Sequence, residues 1–397
     1  MGTGRAADAG PTKEWRHRMA SNPNYCDVTP EIEALAALAL ENSCIDPEDY
    51  VRYDVKRGLR DLNGKGVLAG LTEVSDIVAK KIVDGQELPC DGKLYYRGID
   101  VEQLVGQALK EGRFGFEETA YLLLLGRLPK AAELEDFRRQ LSYYRSLPNN
   151  FVRDVILKAP SQDIMNSLAR SVLNLASYDD RCDDISLPNV MRQCVQLTAL
   201  FPMLSVYGYQ AYNYKSGSSL YIHAPRPELS TAENILSLLR ADSSYSFWEA
   251  HVLDICMILH AEHGGGNNST FTTHVVTSSG TDTYSCMAAA LASLKGPKHG
   301  GANIKVIRMF EDMKETVRDW KDEDEVRHYL QALLDKQAFD KAGLIYGMGH
   351  AVYSLSDPRA NILRSFVEKL SREKGRNEEY ELCLLYTSPS PRDPKTS

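Results

Sequence analysis

Residues 249–266 read Glu-Ala-His-Val-Leu-Asp-Ile-Cys-Met-Ile-Leu-His-Ala-Glu-His-Gly-Gly-Gly, and this stretch decides the fold class. Val252, Ile255, Cys256 and Leu259 recur three and four apart, the spacing that puts apolar side chains on one face of a helix. The predicted helix delivers His260 and His263 to its C-terminal end, where Gly264, Gly265 and Gly266 stop it. A helix cap needs one glycine; three open a gap beside His263 and the amide of Asn267 that a small oxygen-rich ligand can enter. The simpler account is a helix end with polar surface residues. No metal is expected, because a zincin pattern wants histidines four apart with Glu directly after the first, which His260-Ala-Glu-His263 does not satisfy.

Outward from this segment the helical period dominates. Thr29-Pro30-Glu31 supplies a helix start followed by Ile32, Leu35 and Leu38. Asp100 to Gln103 forms a capping box, Phe116 to Leu125 stops at Gly126 with Pro129 beyond, and Ile164, Leu168 and Val172 mark a buried face. Ser230 with Glu233 opens another helix, and Met287 to Leu294 is a helix of small residues. Strand-like alternation is scarce. The one good hairpin signal lies between Glu87 and Gly98, with the turn assigned to Asp91-Gly92. No period of 20 to 50 residues recurs. The fold class expected is all-α (mainly α), with a small β-hairpin near the N-terminal third.

Two further segments repeat the pairing of histidine with glycine. His299 lies in Lys-Gly-Pro-Lys-His-Gly-Gly-Ala-Asn, directly after the small-residue helix. A histidine in a Gly-Pro turn is more often structural than catalytic, but small residues before it and glycines after it leave the ring able to meet a bulky ligand. A phosphate loop is disfavoured, since Gly-x-x-x-x-Gly-Lys-Ser/Thr is absent. His350 lies in Gly-Met-Gly-His-Ala-Val-Tyr-Ser-Leu-Ser-Asp-Pro-Arg, ending at Arg359 in the first turn of a helix that runs through Ile362, Leu363 and Phe366. Arg359 could simply cap its own helix. Placed next to a histidine, its fork suits a carboxylate, and so an acidic substrate with a reacting carbonyl. Such a set fits carbon-carbon bond formation at a keto acid. A carboxylate takes a proton from a weakly acidic carbon, a neutral imidazole steadies the enolate oxygen, and a second imidazole polarises the carbonyl under attack.

The three histidine segments, in this order, resemble those of the citrate synthase family, in register from about Val55 to about Leu382. The resemblance implies a helical homodimer whose subunits have a large domain and a small one that closes over oxaloacetate. It implies that His263, Asn267, His350 and Arg359 hold oxaloacetate, and that His299 stabilises the enol of acetyl-CoA. His350 would help protonate the new alkoxide, and Gly347, Met348 and Gly349 would lie against the CoA adenine. Citryl-CoA would then be hydrolysed, with acetyl-CoA as a substrate and no cofactor. The expected organisation is an N-terminal arm (1–50), a large helical domain (51–295) and a small helical domain (296–382). Met348 and Ser354 depart from the family's usual residues and bear on CoA affinity. The family's catalytic Asp lies in an Asp-x-x-Ser-Gly segment downstream of the Asp-Pro-Arg helix, with further arginines later still, and neither is found here. Residues 383–397 begin Cys-Leu-Leu-Tyr-Thr-Ser-Pro-Ser-Pro-Arg-Asp, which reads like a library adapter translated in frame rather than a native ending. The expectation is therefore a C-terminally truncated copy, inactive for want of its base.

Composition narrows the alternatives. The 397 residues carry 54 acidic and 46 basic side chains, a net charge of -8 with no basic stripe, which argues against nucleic acid as a partner. The longest apolar runs, Ala34 to Leu40 and Tyr121 to Leu125, are far short of the roughly 20 residues that span a bilayer, so no membrane partner is expected. No secretory signal or transit peptide is readable, and a cytoplasmic location is expected. The eight cysteines include no Cys-x-x-Cys pair and read as reduced thiols. A 2-methylcitrate synthase acting on propionyl-CoA shares every motif, and a non-catalytic protein that binds CoA or a dicarboxylate is the reading from another class.

Overall fold

The computed structural model describes residues 46–54, 59, 61, 67, 72–348, 353 and 355–387. The helix start expected at Thr29-Pro30-Glu31 lies outside them, as do Gly349 and His350. The chain divides into two compact units, residues 1–67 and 68–397. In the first, helix α1 (Pro47–Arg52) begins at Asp46, whose side chain accepts from the Glu48 amide. No helix among the described residues is long and apolar enough to cross a membrane.

The second unit is mostly helical, as expected, and opens with a three-stranded antiparallel sheet of strands β1 (Ser75–Val83), β2 (Gln86–Tyr96) and β3 (Ile99–Asp100). The hairpin exists, but its turn is not at Asp91-Gly92. It is the earlier Asp84-Gly85, with φ of 51° and 78°, which leaves Val83 opposite Gln86 and Ser75 opposite Tyr96. Two residues with positive φ give the twist that a tight hairpin needs, and either Asp-Gly pair could supply it. Asp91-Gly92 is held extended inside β2, where Tyr353 and Ser356 pack on Gly92.

Helices α2 (Val101–Lys110), α3 (Phe116–Leu125), α4 (Ala131–Tyr144), α5 (Ile164–Leu175), α6 (Leu187–Lys215) and α7 (Thr231–Leu239) follow. Several ends are where the sequence placed them. Gly126 closes α3 with φ of 84°, and Ser230 and Glu233 cap α7 reciprocally. Asp100 starts α2 by accepting from the Glu102 amide. Then come α8 (Phe247–His260), α9 (Asn268–Thr277), α10 (Thr283–Leu294), α11 (Ala302–Thr316), α12 (Glu323–Leu334), α13 (Pro358–Glu373) and α14 (Asn377–Thr387).

Of the four apolar clusters among the described residues, three organise the helices that bear on the site. Leu168 and Val172 of α5 meet Leu200 and Leu204 of α6, Leu238 of α7 and Leu291 of α10. Leu94 and Tyr96 of β2 pack with Leu104 of α2, Leu122 of α3 and Ile255, Ile258 and Leu259 of α8. Met309 and Met313 of α11 pack with Val326 and Tyr329 of α12 and with Leu382 and Tyr386 of α14. The stretch expected as a small domain, 296–382, therefore does not share one core. Helix α13 lies within it, yet Ile362, Leu363 and Phe366 rest on the cluster built by β2 and α8. Helix α14 also runs through residue 382 without a break. Leu382 and Tyr386 are four apart, so they share one buried helix face.

Two buried carboxylates fasten neighbouring helices in this unit. Asp254 of α8 accepts from the amides of Gly115 (2.7 Å) and Phe116 (3.2 Å), where α3 begins at a glycine with no side chain to cap it. Glu117 of α3 accepts from the Thr231 amide at the start of α7 (2.7 Å). A helix N-terminus left bare inside a protein is costly, so each carboxylate sets the place of the helix it caps.

Candidate functional site

Helix α8 ends with His260 Nδ1 2.6 Å from the Cys256 carbonyl oxygen. The chain then turns at Gly264, whose φ of 81° favours glycine and where a Cβ would sit 2.8 Å from Ile77 Cδ1. His263 is set by its own backbone, which donates to Glu262 Oε1 (2.9 Å); the same oxygen accepts from Ser75 Oγ (3.2 Å). Its ring stands edge-on to Tyr353, with 6.0 Å between centroids and 69° between planes.

Asn267 caps α9. Its Oδ1 accepts from the Thr270 amide (2.9 Å) and from Ser269 Oγ (2.8 Å), and its Nδ2 donates to the Gly264 carbonyl (2.9 Å). The amide expected to meet a ligand thus builds the helix start and holds the glycine turn beside His263, a preferred use of Asn at this position. Ser269, which the sequence did not single out, lies with Oγ 3.0 Å from His299 Nε2. Its hydroxyl two residues into an Asn-Asn-Ser start was a weak local signal, but its partner is 30 residues away in sequence.

His299 sits in the turn between α10 and α11, its amide donating to the Gly296 carbonyl (2.9 Å). The two glycines after it are required by space. A Cβ at Gly300 would lie 2.2 Å from the Leu294 carbonyl oxygen, and one at Gly301 2.4 Å from that of Pro297. The turn is moored to the start of α5 by Lys295 and Asp163, 2.5 Å apart.

In the third segment Gly347 has φ of 91°, and Met348 donates its amide to the Ile345 carbonyl (3.2 Å). A Cβ on Gly347 would touch Val306 of α11 at 3.4 Å, so this loop rests on the helix that follows His299. Asp357, not Arg359, caps α13 by accepting from the Arg359 amide (2.9 Å). The Arg359 guanidinium forks onto the same carboxylate, with Nη2 2.6 Å from Oδ2 and Nε 3.0 Å from Oδ1, and the pair is largely buried. Burial pushes the Tyr353 hydroxyl up to about 12; the Asp357 carboxylate adds to this and the Arg359 charge opposes it. Burial also raises Tyr96, against its hydrogen bond to the Glu262 backbone and the same Arg359 charge. Tyr353 stands edge-on to His263 and, with Ser356, packs on β2, so the segment leading to Arg359 runs past His263.

The described part of the site is one connected set. Tyr353 links His263 to the Arg359 segment, and Gly264, Asn267 and Ser269 link His263 to His299. Among the described residues, the one group with metal-type side chains close together is Cys182, Asp183 and Asp282, and it does not include the histidines. There burial, then the Asp282 and Asp183 charges, push the Cys182 thiol up to about 11.

The described residues thus form a mostly helical unit that brings segments carrying imidazoles and one guanidinium together from distant parts of the chain. Residues 61–395 match the pattern described as "Citrate synthase, C-terminal domain", and the chain belongs to the citrate synthase family. It is 34% identical over 323 residues to a citrate synthase of Synechocystis sp., covering 80% of this chain and 72% of the relative. It is 32% identical over 295 residues to the 2-methylcitrate synthase of Shewanella oneidensis, covering 73% and 70%. Among solved structures, citrate synthase from Pyrobaculum aerophilum superposes with a TM-score of 0.68 at 27% identity, over 86% of this chain and 80% of that one. Citrate synthase from Thermoplasma acidophilum, in ternary complex with carboxymethyl coenzyme A and oxaloacetate, gives 0.66 at 25% identity, over 83% and 76%.

Proposed function

We propose that the chain binds oxaloacetate and acetyl-CoA for condensation to citrate, an acyl transfer in which the acetyl group becomes an alkyl group. In this reading His263, Arg359 and His350 hold oxaloacetate, with Asn267 shaping the turn that presents His263. His299 donates to the enol oxygen of acetyl-CoA, and the loop Gly347, Met348 and Gly349 takes the adenine. The carbanion carbon attacks the oxaloacetate carbonyl, His350 gives the alkoxide a proton, and water then cleaves the thioester of citryl-CoA to release CoA. The observation that carries this reading is the hydroxyl of Ser269, 3.0 Å from His299 Nε2. Ser269 has one hydroxyl proton, and in the arrangement where it goes to Nε2 rather than to Asn267 Oδ1 the neutral ring carries its own proton on Nδ1 and is a donor for a developing oxyanion.

Deprotonating the acetyl group also needs a carboxylate base. The carboxylates of Glu262 and Asp357 in the described site are both engaged, the first by Ser75 and the His263 amide, the second by Arg359. Turnover is therefore expected to be weak while oxaloacetate binding persists. Thermal unfolding tests this directly. Oxaloacetate at about 100 times its dissociation constant should stabilise the chain by about 2.7 kcal/mol, and His263→Ala should lose the shift. No shift in the wild-type chain would overturn the reading, and rapid release of CoA thiol would overturn the weak turnover. The relatives named as 2-methylcitrate synthases keep propionyl-CoA as the second reading, and competition between the two thioesters separates them.

A homodimer belongs to the same proposal. Helix α9 has no buried residue within the chain and leaves Val275 half exposed, which favours a partner on that face. Light scattering should give twice the chain mass, and Val275→Glu should shift the population to monomer. A wild-type monomer at micromolar concentration would discount the dimer.

A further inference from the structure

Strand β2 touches both segments that carry the proposed oxaloacetate ligands. Tyr96 is fully buried, and its hydroxyl lies 2.9 Å from the Ile258 carbonyl and 3.0 Å from the Glu262 carbonyl. It thereby joins the last turn of α8 to the residue before His263. Four residues earlier, the Gly92 amide lies 3.2 Å from both the carbonyl oxygen and Oγ of Ser356. Ser356 Oγ donates to Asp91 Oδ1 (3.0 Å), and the Tyr353 hydroxyl donates to the Lys93 carbonyl (3.3 Å). These contacts fix the segment that leads into Asp357 and Arg359.

We infer that β2 is the spacer that sets the separation of His263 and Arg359, with Tyr96 and Gly92 as its positioning residues. This rests on the oxaloacetate reading above. Positions 92, 94 and 96 share one face of the strand, at about 3.3 Å per residue. Along that face the side chains run from none, through a buried Leu94, to a full tyrosine. The absent side chain lets the Arg359 segment lie directly on the strand, since a Cβ on Gly92 would be 2.2 Å from the Ser356 carbonyl oxygen and 2.5 Å from Tyr353 Cδ1. The tyrosine spans the distance to the end of α8. The strand is stiff because β1 pairs with it on both sides of the bulge at Val78 and Lys80. Two ligands that must reach one dicarboxylate are thus referred to a single rigid element, and a misplacement of about 1 Å at such a site is expensive.

The test is calorimetric titration of the full chain with oxaloacetate, read as dissociation constant and stoichiometry separately. Tyr96→Phe removes only the hydroxyl, and Gly92→Ala pushes Ser356 away by about 1 Å or more, the difference between 2.2 Å and ordinary contact. Each variant is expected to weaken binding about tenfold with stoichiometry near that of wild type, while Leu88→Ala, at an exposed position of the same strand, leaves it unchanged. A purely structural role would lower the stoichiometry, as molecules unfold, and leave the constant of the folded fraction alone. Constants within twofold of wild type would overturn the inference, and Tyr96→Phe decides it if Gly92→Ala does not fold. A wild-type chain that takes up no oxaloacetate would instead defeat the functional reading, and the spacer with it.

Discussion

Arg359→Leu is expected to raise the dissociation constant for oxaloacetate about 100-fold and also to lower the unfolding midpoint, because the buried Asp357 carboxylate loses this partner. The helix start it occupies is secured by Asp357, which caps the Arg359 backbone whatever side chain follows. What the substitution removes is a guanidinium in a largely buried position, 2.6 Å from the Asp357 carboxylate. Without it, the Asp357 carboxylate loses this counter-charge beside the incoming dicarboxylate. A hydrogen bond to a charged group is worth about 1.5–3 kcal/mol, and 100-fold in affinity corresponds to about 2.7 kcal/mol. Arg359→Lys keeps the charge but loses the planar fork, and should fall between, near tenfold. Titration calorimetry on both variants distinguishes the roles. If both stay within threefold of wild type, Arg359 serves only its own helix.

The second large effect concerns Asp254 and pH. Burial pushes its carboxyl up from 3.8 to about 7; the amides of Gly115 and Phe116 oppose the rise, and the Glu117 charge adds to it. In the unfolded chain the group ionises near 4, whereas the folded chain keeps its proton until about 7. Between these values the folded state binds the extra proton, so stability falls as pH rises. The interval amounts to roughly 4 kcal/mol. Two other carboxylates act in the opposite sense. Arg240 first, against burial and with help from Lys374, holds Glu249 far below the usual carboxylate range. Burial works against Asp179, but Arg192, Gln193 and Tyr284 keep it at about 2. Their contributions are present above about pH 4.5 and are lost as acid protonates them. His251, lowered by burial, also disfavours the folded state as pH falls below its ordinary value of 6.5. Urea midpoints for wild type and Asp254→Asn isolate the one group, because the other three are common to both curves. The gap between the curves should move in favour of the variant from pH 4 to pH 7. A constant gap would show that Asp254 does not titrate there. The variant should be the less stable at pH 4, since an Asn amide offers one acceptor where two backbone amides need them.

Local signals were legible in the chain wherever neighbouring residues decide the outcome. Gly126 ends α3, and Ser230 with Glu233 begins α7, because a helix end is settled by which side chains lie within one turn of it. The periodic apolar residues of α8 placed His263 beyond its C-terminus on the same ground. The hairpin was half legible. Two Asp-Gly pairs seven residues apart offer the same turn chemistry, and the choice of Asp84-Gly85 depends on Ser356 lying against Gly92, more than 260 residues away. Asn267 was recognised as a polar group beside His263; that its side chain also caps α9 and holds the Gly264 turn came only from the structure.

From sequence alone, then, came the mainly helical class, the histidine segments and the residue types suited to a keto acid, since periodicity and composition are properties of the chain itself. Tertiary structure decided the rest. It paired Ser269 with His299, turned Arg359 onto Asp357, carried α13 to the core of β2 and α8, and made one strand the common support of two distant loops. Those outcomes depend on which surfaces meet once the backbone is closed, and contacts between residues tens to hundreds of positions apart leave no period or spacing to read.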